Sequence, residues 1–176
     1  MASNRHLGRI IALQTLYELD FRREAGDKEF NLQEVLERNI SRYQKQVDDV
    51  DFISVLVTGV AQQESELDSQ LQPIAPEWPI DQIARMDRVV LRMGLFELLN
   101  NNDVPPKVVI NEAVELAKSF GGENSSKFIN GVLGTVMRQR YPDMASSIDT
   151  AASAEVTEAS ELVKADEVVE QKATEQ

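Results

Sequence analysis

Asp103-Val104-Pro105-Pro106-Lys107-Val108-Val109-Ile110-Asn111-Glu112-Ala113-Val114-Glu115-Leu116-Ala117-Lys118-Ser119-Phe120-Gly121-Gly122-Glu123-Asn124-Ser125-Ser126-Lys127-Phe128 is the stretch from which the fold can be read. Pro105 and Pro106 open a helix, where a missing N–H costs little because that donor has no intrahelical acceptor. Val109, Ala113, Leu116, Ala117 and Phe120 recur at helical spacing and line one face. Gly121 and Gly122 stop the helix, as a left-handed C-terminal cap would. Asn124 or Ser125 can cap a further helix running to about Gln139, with Phe128, Ile129, Val132 and Val136 turned inward.

Outward from this block the same period continues. Ile80 to Leu99 is apolar nearly all round and reads as the central buried helix, with Pro73, Pro76 and Pro79 breaking the chain before it. Phe52, Val55, Leu56, Gly59, Val60, Leu67 and Leu71 fit one long helix, introduced by the acids Asp48, Asp49 and Asp51. Leu32, Val35, Leu36, Ile40 and Tyr43 form another stripe, and Leu7, Ile10, Leu13, Tyr17 and Phe21 a first. No run alternates with period two for long, and no hairpin turn lies between strand-like runs. The expectation is an all-α domain of about six to seven helices over residues 1–141. Residues 142–176 form an acidic tail without aromatic residues, too poor in apolar side chains to offset its ordering entropy and read as mostly disordered, with room for a short helix around Glu158 to Val169.

Composition excludes several function classes. The chain has 176 residues, no cysteine and one histidine, His6, so disulfides, thiolate metal sites and Ser-His-Asp triads with a buried base are ruled out. It contains no Gly-x-x-x-x-Gly-Lys or Gly-x-Gly-x-x-Gly phosphate loop. The acids at Asp48–Asp51 and Glu64–Asp68 are read as helix caps and solvated faces, since nothing in the sequence brings them together as a hydrolase pair or a metal site. No cofactor is expected. No stretch approaches the roughly 20 apolar residues that span a bilayer, and residues 1–21 are amphipathic rather than secretory, so a cytoplasmic protein without a membrane partner is expected. The net charge of −12 argues against nucleic acid on its face, but the nine acids and two lysines of residues 143–176 hold −7 of it. Any nucleic-acid site is therefore a local basic patch on a mildly acidic body.

Three places qualify. Arg5, His6 and Arg9 sit in the first turns of the first helix, where cations oppose the helix dipole; they either meet an anionic partner or pair with nearby acids. Arg85, Arg88 and Arg92 make one stripe on the central helix, either paired internally, for example with Asp81 or Asp87, or facing a phosphate or partner. The corner from Lys118 to Phe128 offers Lys118, Lys127, Phe120, Phe128, Asn124 and a helix N-terminus, the mixture of rings, amides and ammonium groups that grips single-stranded RNA. Its alternative is a capped corner with two core phenylalanines.

The stretch Asp103 to Gly121, continued by Lys127-Phe128-Ile129-Asn130-Gly131-Val132-Leu133, resembles the signature of the NusB family. Ala12-Leu13-Gln14-Thr15-Leu16-Tyr17, Thr58-Gly59-Val60 and Val90-Leu91-Arg92-Met93-Gly94-Leu95-Phe96-Glu97-Leu98 match in the family's order, and the resemblance covers about residues 4–137. It implies two three-helix-type halves and a non-enzymatic transcription antitermination factor. Such a factor binds boxA RNA with NusE, a small-subunit ribosomal protein. It helps RNA polymerase in the antitermination complex to read through terminators, chiefly in ribosomal RNA operons. By position, the resemblance gives Arg5, His6 and Arg9 to the family's arginine-rich opening, Phe120, Asn124, Lys127 and Phe128 to a second RNA-contacting region, Arg92 to a basic position in the fourth helix, and Tyr17 and Asp87 to the NusE face. The chain departs from the pattern where Leu7 and Gly8 interrupt the opening, where Asn124 replaces a common acid, and in its acidic tail. A homodimer is left open. So are a helical interaction scaffold that has lost RNA binding and the RNA-binding module of a ribosomal RNA methyltransferase.

Overall fold

The computed structural model describes residues 2–100 and 103–145. Helix α1 runs Ala2–Glu24, α2 Leu32–Arg42, α3 Val50–Gln62, α4 Glu64–Leu71, α5 Arg85–Asn100, α6 Pro106–Phe120, α7 Ser125–Arg140 and α8 Pro142–Ala145, with a 3-10 turn at Ile80–Gln82. No strand occurs among the described residues. The last four-residue turn, α8, falls beyond the boundary expected at residue 141. The expected disorder and short helix of the tail lie outside the described residues.

Local chemistry sets the helix ends. Asn31 Oδ1 accepts from Gln33 N at 3.0 Å and Glu34 N at 3.3 Å, starting α2. Asp49 Oδ1 accepts from Phe52 N at 3.0 Å, so the acids before α3 include the cap that their position suggested. The helix expected to continue through Leu71 is broken instead at Gln63, whose N–H still bonds the Gly59 carbonyl before α4 begins. The break lets Leu67 and Leu71 enter the core and sets Glu64 and Asp68 of α4 beside α5. Gln72 stitches the proline-rich segment: its Nε2 donates to the Trp78 carbonyl at 2.9 Å and its Oε1 accepts from Ile80 N at 3.0 Å. The central helix starts at Arg85 rather than Ile80, because Ile83 is extended after the 3-10 turn.

Helices α1, α2 and α3 pack as one three-helix group and α5, α6 and α7 as another, with α1 and α3 resting on α5 and α4 alongside. One continuous apolar core joins the groups, and Arg88 to Leu98 of α5 are all buried at its centre. Close approach at two helix crossings needs glycine. A Cβ on Gly59 would strike the Phe96 ring, and one on Gly94 would come within 2.5 Å of Leu133 Cδ1. A buried polar link joins α2 to α1, where Asn39 Nδ2 donates to Thr15 Oγ1 at 3.0 Å and Thr15 returns its proton to the Ile11 carbonyl. Three residues of the expected inward stripes face water: Val55, Phe21 and Phe120. Among the described residues, no helix is long and apolar enough to cross a membrane.

Candidate nucleic-acid interface

The basic opening of α1 is latched to the core by carboxylates distant in sequence. Arg9 is only 3 % exposed, and its Nε and Nη2 donate to both oxygens of Glu97 on α5 at 2.8 and 2.7 Å. Its Nη1 also lies 3.6 Å from Glu112 of α6. His6 Nδ1 lies 2.7 Å from Glu112 Oε2, so the ring donates there. Arg5 reaches Asp49 at 3.4 Å, and the guanidiniums of Arg5 and Arg9 lie 5.1 and 5.2 Å from the Phe52 ring centre. Arg9 therefore serves as an internal tie between α1, α5 and α6 in this structure. The bidentate pair uses the Nε–H and one Nη2–H, and burial leaves the remaining N–H groups little access to solvent. Arg5 and His6 keep about a third of their side chains exposed.

The stripe on α5 resolves to internal pairing, but with acids of α1 and α4 in place of the Asp81 and Asp87 carboxylates. Arg92 is 6 % exposed; it grips both oxygens of Asp68 at 2.7 Å, and reaches Asp20 at 3.1 Å and Glu64 at 3.4 Å. Arg88 bonds Asp20 at 2.6 Å and the Asp81 carbonyl at 3.3 Å. Arg85 bonds Asp20 at 3.0 Å and pairs with Glu24. Burial works to raise the carboxyl pKa of Asp20, but Arg88 and Arg92 outweigh it and hold the group below its ordinary value. Arg92, too, is desolvated, yet Asp68, Glu64 and Asp20 raise its pKa further, so it stays charged. Arg92 thus ties α1, α4 and α5 together in this structure.

The α6–α7 corner is the more open place. Phe120, at the last turn of α6, is 41 % exposed, and Lys127 is exposed in the first turn of α7. Lys118 is exposed and pairs with Glu115 at 3.0 Å. Asn124 sits at the N-cap of α7 without a side-chain bond to the helix, and no acid lies in the first turn, so the amide end stays electropositive. Phe128, by contrast, is only 6 % exposed and packs against the core. Gly121 does not adopt the left-handed cap; its φ of −89° and ψ of −174° are extended. Its requirement is clearance, since a Cβ would come within 2.5 Å of Ser125 Cβ and 2.7 Å of the Ala117 carbonyl.

Tyr17 and Asp87, assigned together to a partner face, have different neighbours. Tyr17 lies under the Arg85 guanidinium at 5.5 Å, and exposed Phe21 lies 5.1 Å from the same cation. Asp87 is half-buried on α5, its Oδ1 is without a hydrogen-bond partner, and burial raises its carboxyl pKa. Sequence reasoning missed Phe21 as a surface residue, and missed Glu97, Glu112, Asp20 and Asp68 as the partners of the arginines. A cavity of about 260 Å³ beside Arg5 is walled by Asp49, Asp51, Glu97 and Asp103, which disfavours phosphate. No group of three or more potential metal ligands occurs among the described residues.

A family model described as the NusB family matches residues 6–138. The chain belongs to the NusB family. It is 44 % identical over 138 residues to the transcription antitermination protein NusB of Dehalococcoides mccartyi (strain CBDB1), covering 78 % of this chain and 92 % of that protein. It is 45 % identical over 139 residues to the protein of the same name from Chloroflexus aggregans, covering 78 % and 89 %. Among solved structures it is similar to T. maritima NusB, with a TM-score of 0.69, 28 % identity, and 82 % and 97 % of the two chains covered. It is also similar to a chain of the antitermination factors NusB and NusE in complex with dsRNA, with a TM-score of 0.67, 25 % identity, and 80 % and 100 % covered. The NusB-family match covers both arginine ties and the α6–α7 corner.

Proposed function

We propose that this chain is a non-catalytic antitermination factor of the cytoplasm. It binds boxA-type RNA together with the ribosomal protein NusE and promotes read-through by RNA polymerase, especially in ribosomal RNA operons. The observation that carries the reading is the α6–α7 corner. An exposed ring, Phe120, and an exposed cation, Lys127, flank an electropositive helix start in a family member similar to a NusB solved with NusE and RNA. In this reading Phe120 stacks on an unpaired base, Lys127 and Lys118 take phosphates, and Asn124 donates from the N-cap. Arg5 and His6 supply a weaker second contact at the start of α1. Tyr17 and Phe21, with Arg85 between them, form the aromatic face offered to NusE. The relatives matched over about nine-tenths of their length are named transcription antitermination proteins, which favours this reading over the RNA-binding module of a methyltransferase.

The internal pairing of Arg9 and Arg92 supports a second reading, a helical scaffold that has lost RNA binding. Transcription from a template carrying boxA ahead of a terminator separates the two. Read-through that rises with this protein and NusE, and falls when boxA is scrambled, is the expected result. Read-through indifferent to boxA overturns the RNA reading.

A further inference from the structure

Asp49 has two partners at the start of α3. Its Oδ1 accepts from Phe52 N at 3.0 Å and caps the helix. Its Oδ2 lies 3.4 Å from both Nε and Nη2 of Arg5, in the basic opening of α1. The two contacts differ in how firmly they hold. The cap joins residues three apart on one helical turn, so the carboxylate stays in place whatever Arg5 does. The Arg5 pair is long, and its side chains are 37 % and 39 % exposed. Water and salt screen such a pair, which shifts an equilibrium only about 1.5- to fivefold. The Arg5 guanidinium is also laid against the Phe52 ring, 5.1 Å from its centre. Further anions lie close by, since Asp51, Glu97 and Asp103 line the same cavity as Arg5 and Asp49. The cation of the opening is thus free to leave, and the anion beside it is fixed. A phosphate that takes Arg5 must first displace that carboxylate.

We infer that Asp49 is an affinity-setting residue for RNA: a fixed anion that competes with backbone phosphate for the Arg5 guanidinium and keeps the grip of the α1 opening weak. This rests on the reading of Arg5 as an RNA contact. Phosphate contacts carry no sequence information, so a weak grip here leaves the choice of RNA to the α6–α7 corner.

The test uses the full-length protein and its variants Asp49→Asn, Asp49→Ser, Arg5→Ala, Arg5→Ala/Asp49→Asn and Glu66→Gln. Each is titrated with labelled boxA-type and scrambled RNA over a salt series. Asn and Ser cap a helix as well as Asp does, so both Asp49 variants should keep the thermal midpoint of the parent. Glu66→Gln controls for net charge, because α4 meets the far end of α1 through the Arg23–Glu64 pair at 2.6 Å. Asp49→Asn and Asp49→Ser should tighten binding of both RNAs by the same factor, about threefold at low salt, and the gain should fade as salt rises. With Arg5→Ala in the background, the gain should shrink to that of Glu66→Gln. Unchanged affinity in the Asp49 variants, a gain matched by Glu66→Gln, or a gain that survives Arg5→Ala would each overturn the inference. If neither the parent nor the Asp49 variants bind RNA, the reading of Arg5 as an RNA contact falls instead. The competition itself is then judged by titrating inorganic pyrophosphate and following the Arg5 Nε–H resonance. A lower midpoint in Asp49→Asn than in the parent upholds it, and equal midpoints overturn it.

Discussion

Arg92→Ala distinguishes a structural arginine from an RNA contact. The substitution removes two 2.7 Å bonds to Asp68, one of 3.1 Å to Asp20 and a 3.4 Å pairing with Glu64, from a side chain 7 % exposed. Breaking a buried pair by deleting one partner costs about 3–5 kcal/mol, because the other charge is left behind. Two features move this case to the low end. Asp20 keeps Arg88 at 2.6 Å and Arg85 at 3.0 Å, and Asp68 is a fifth exposed and can recruit water. The expected loss is therefore about 3 kcal/mol, seen in urea as a lower midpoint at unchanged slope. RNA affinity of the folded variant should match that of the parent, with the same salt dependence. A loss under about 1 kcal/mol together with a flatter salt slope would refute the reasoning and return Arg92 to the RNA face.

Phe120→Ala should leave stability within about 0.5 kcal/mol, since the ring is 41 % exposed, while weakening RNA binding by about 1–3 kcal/mol in a filter or anisotropy titration. Gly59→Ala should destabilise the protein by about 1–3 kcal/mol in the same urea assay, because its new methyl overlaps the buried Phe96 ring. The Asp20 carboxyl is held below its ordinary value of 3.8, so its contribution is present above that pH and is lost as pH falls through the lower folded value. Asp20→Asn should accordingly flatten the acid limb of stability against pH below about 4.

The apolar stripes and the proline and glycine punctuation made most helices legible: Pro105-Pro106 opens α6 where expected, and Ile80–Leu99 contains the buried central helix. The break at Gln63 was not legible, because Gln62-Gln63-Glu64-Ser65 holds no glycine or proline, and the packing of Leu67 and Leu71 decides it. The candidate site shows the same division. Local spacing marked the basic groups, but their fates depend on carboxylates brought in by the fold. Glu97 is 88 residues from Arg9, and Asp20 is 72 from Arg92. Phe120 and Phe128 both fit apolar stripes; one ends a helix and remains open, while the other lies within the core. Period alone does not separate those two environments.

The central claim, that this chain binds boxA-type RNA jointly with NusE, is tested most directly by equilibrium binding of labelled boxA RNA, with and without NusE, across a salt series. The account predicts salt-sensitive binding that tightens when NusE is added and weakens for a scrambled RNA. A folded helical protein that binds neither RNA in either condition, or both equally well, would contradict it.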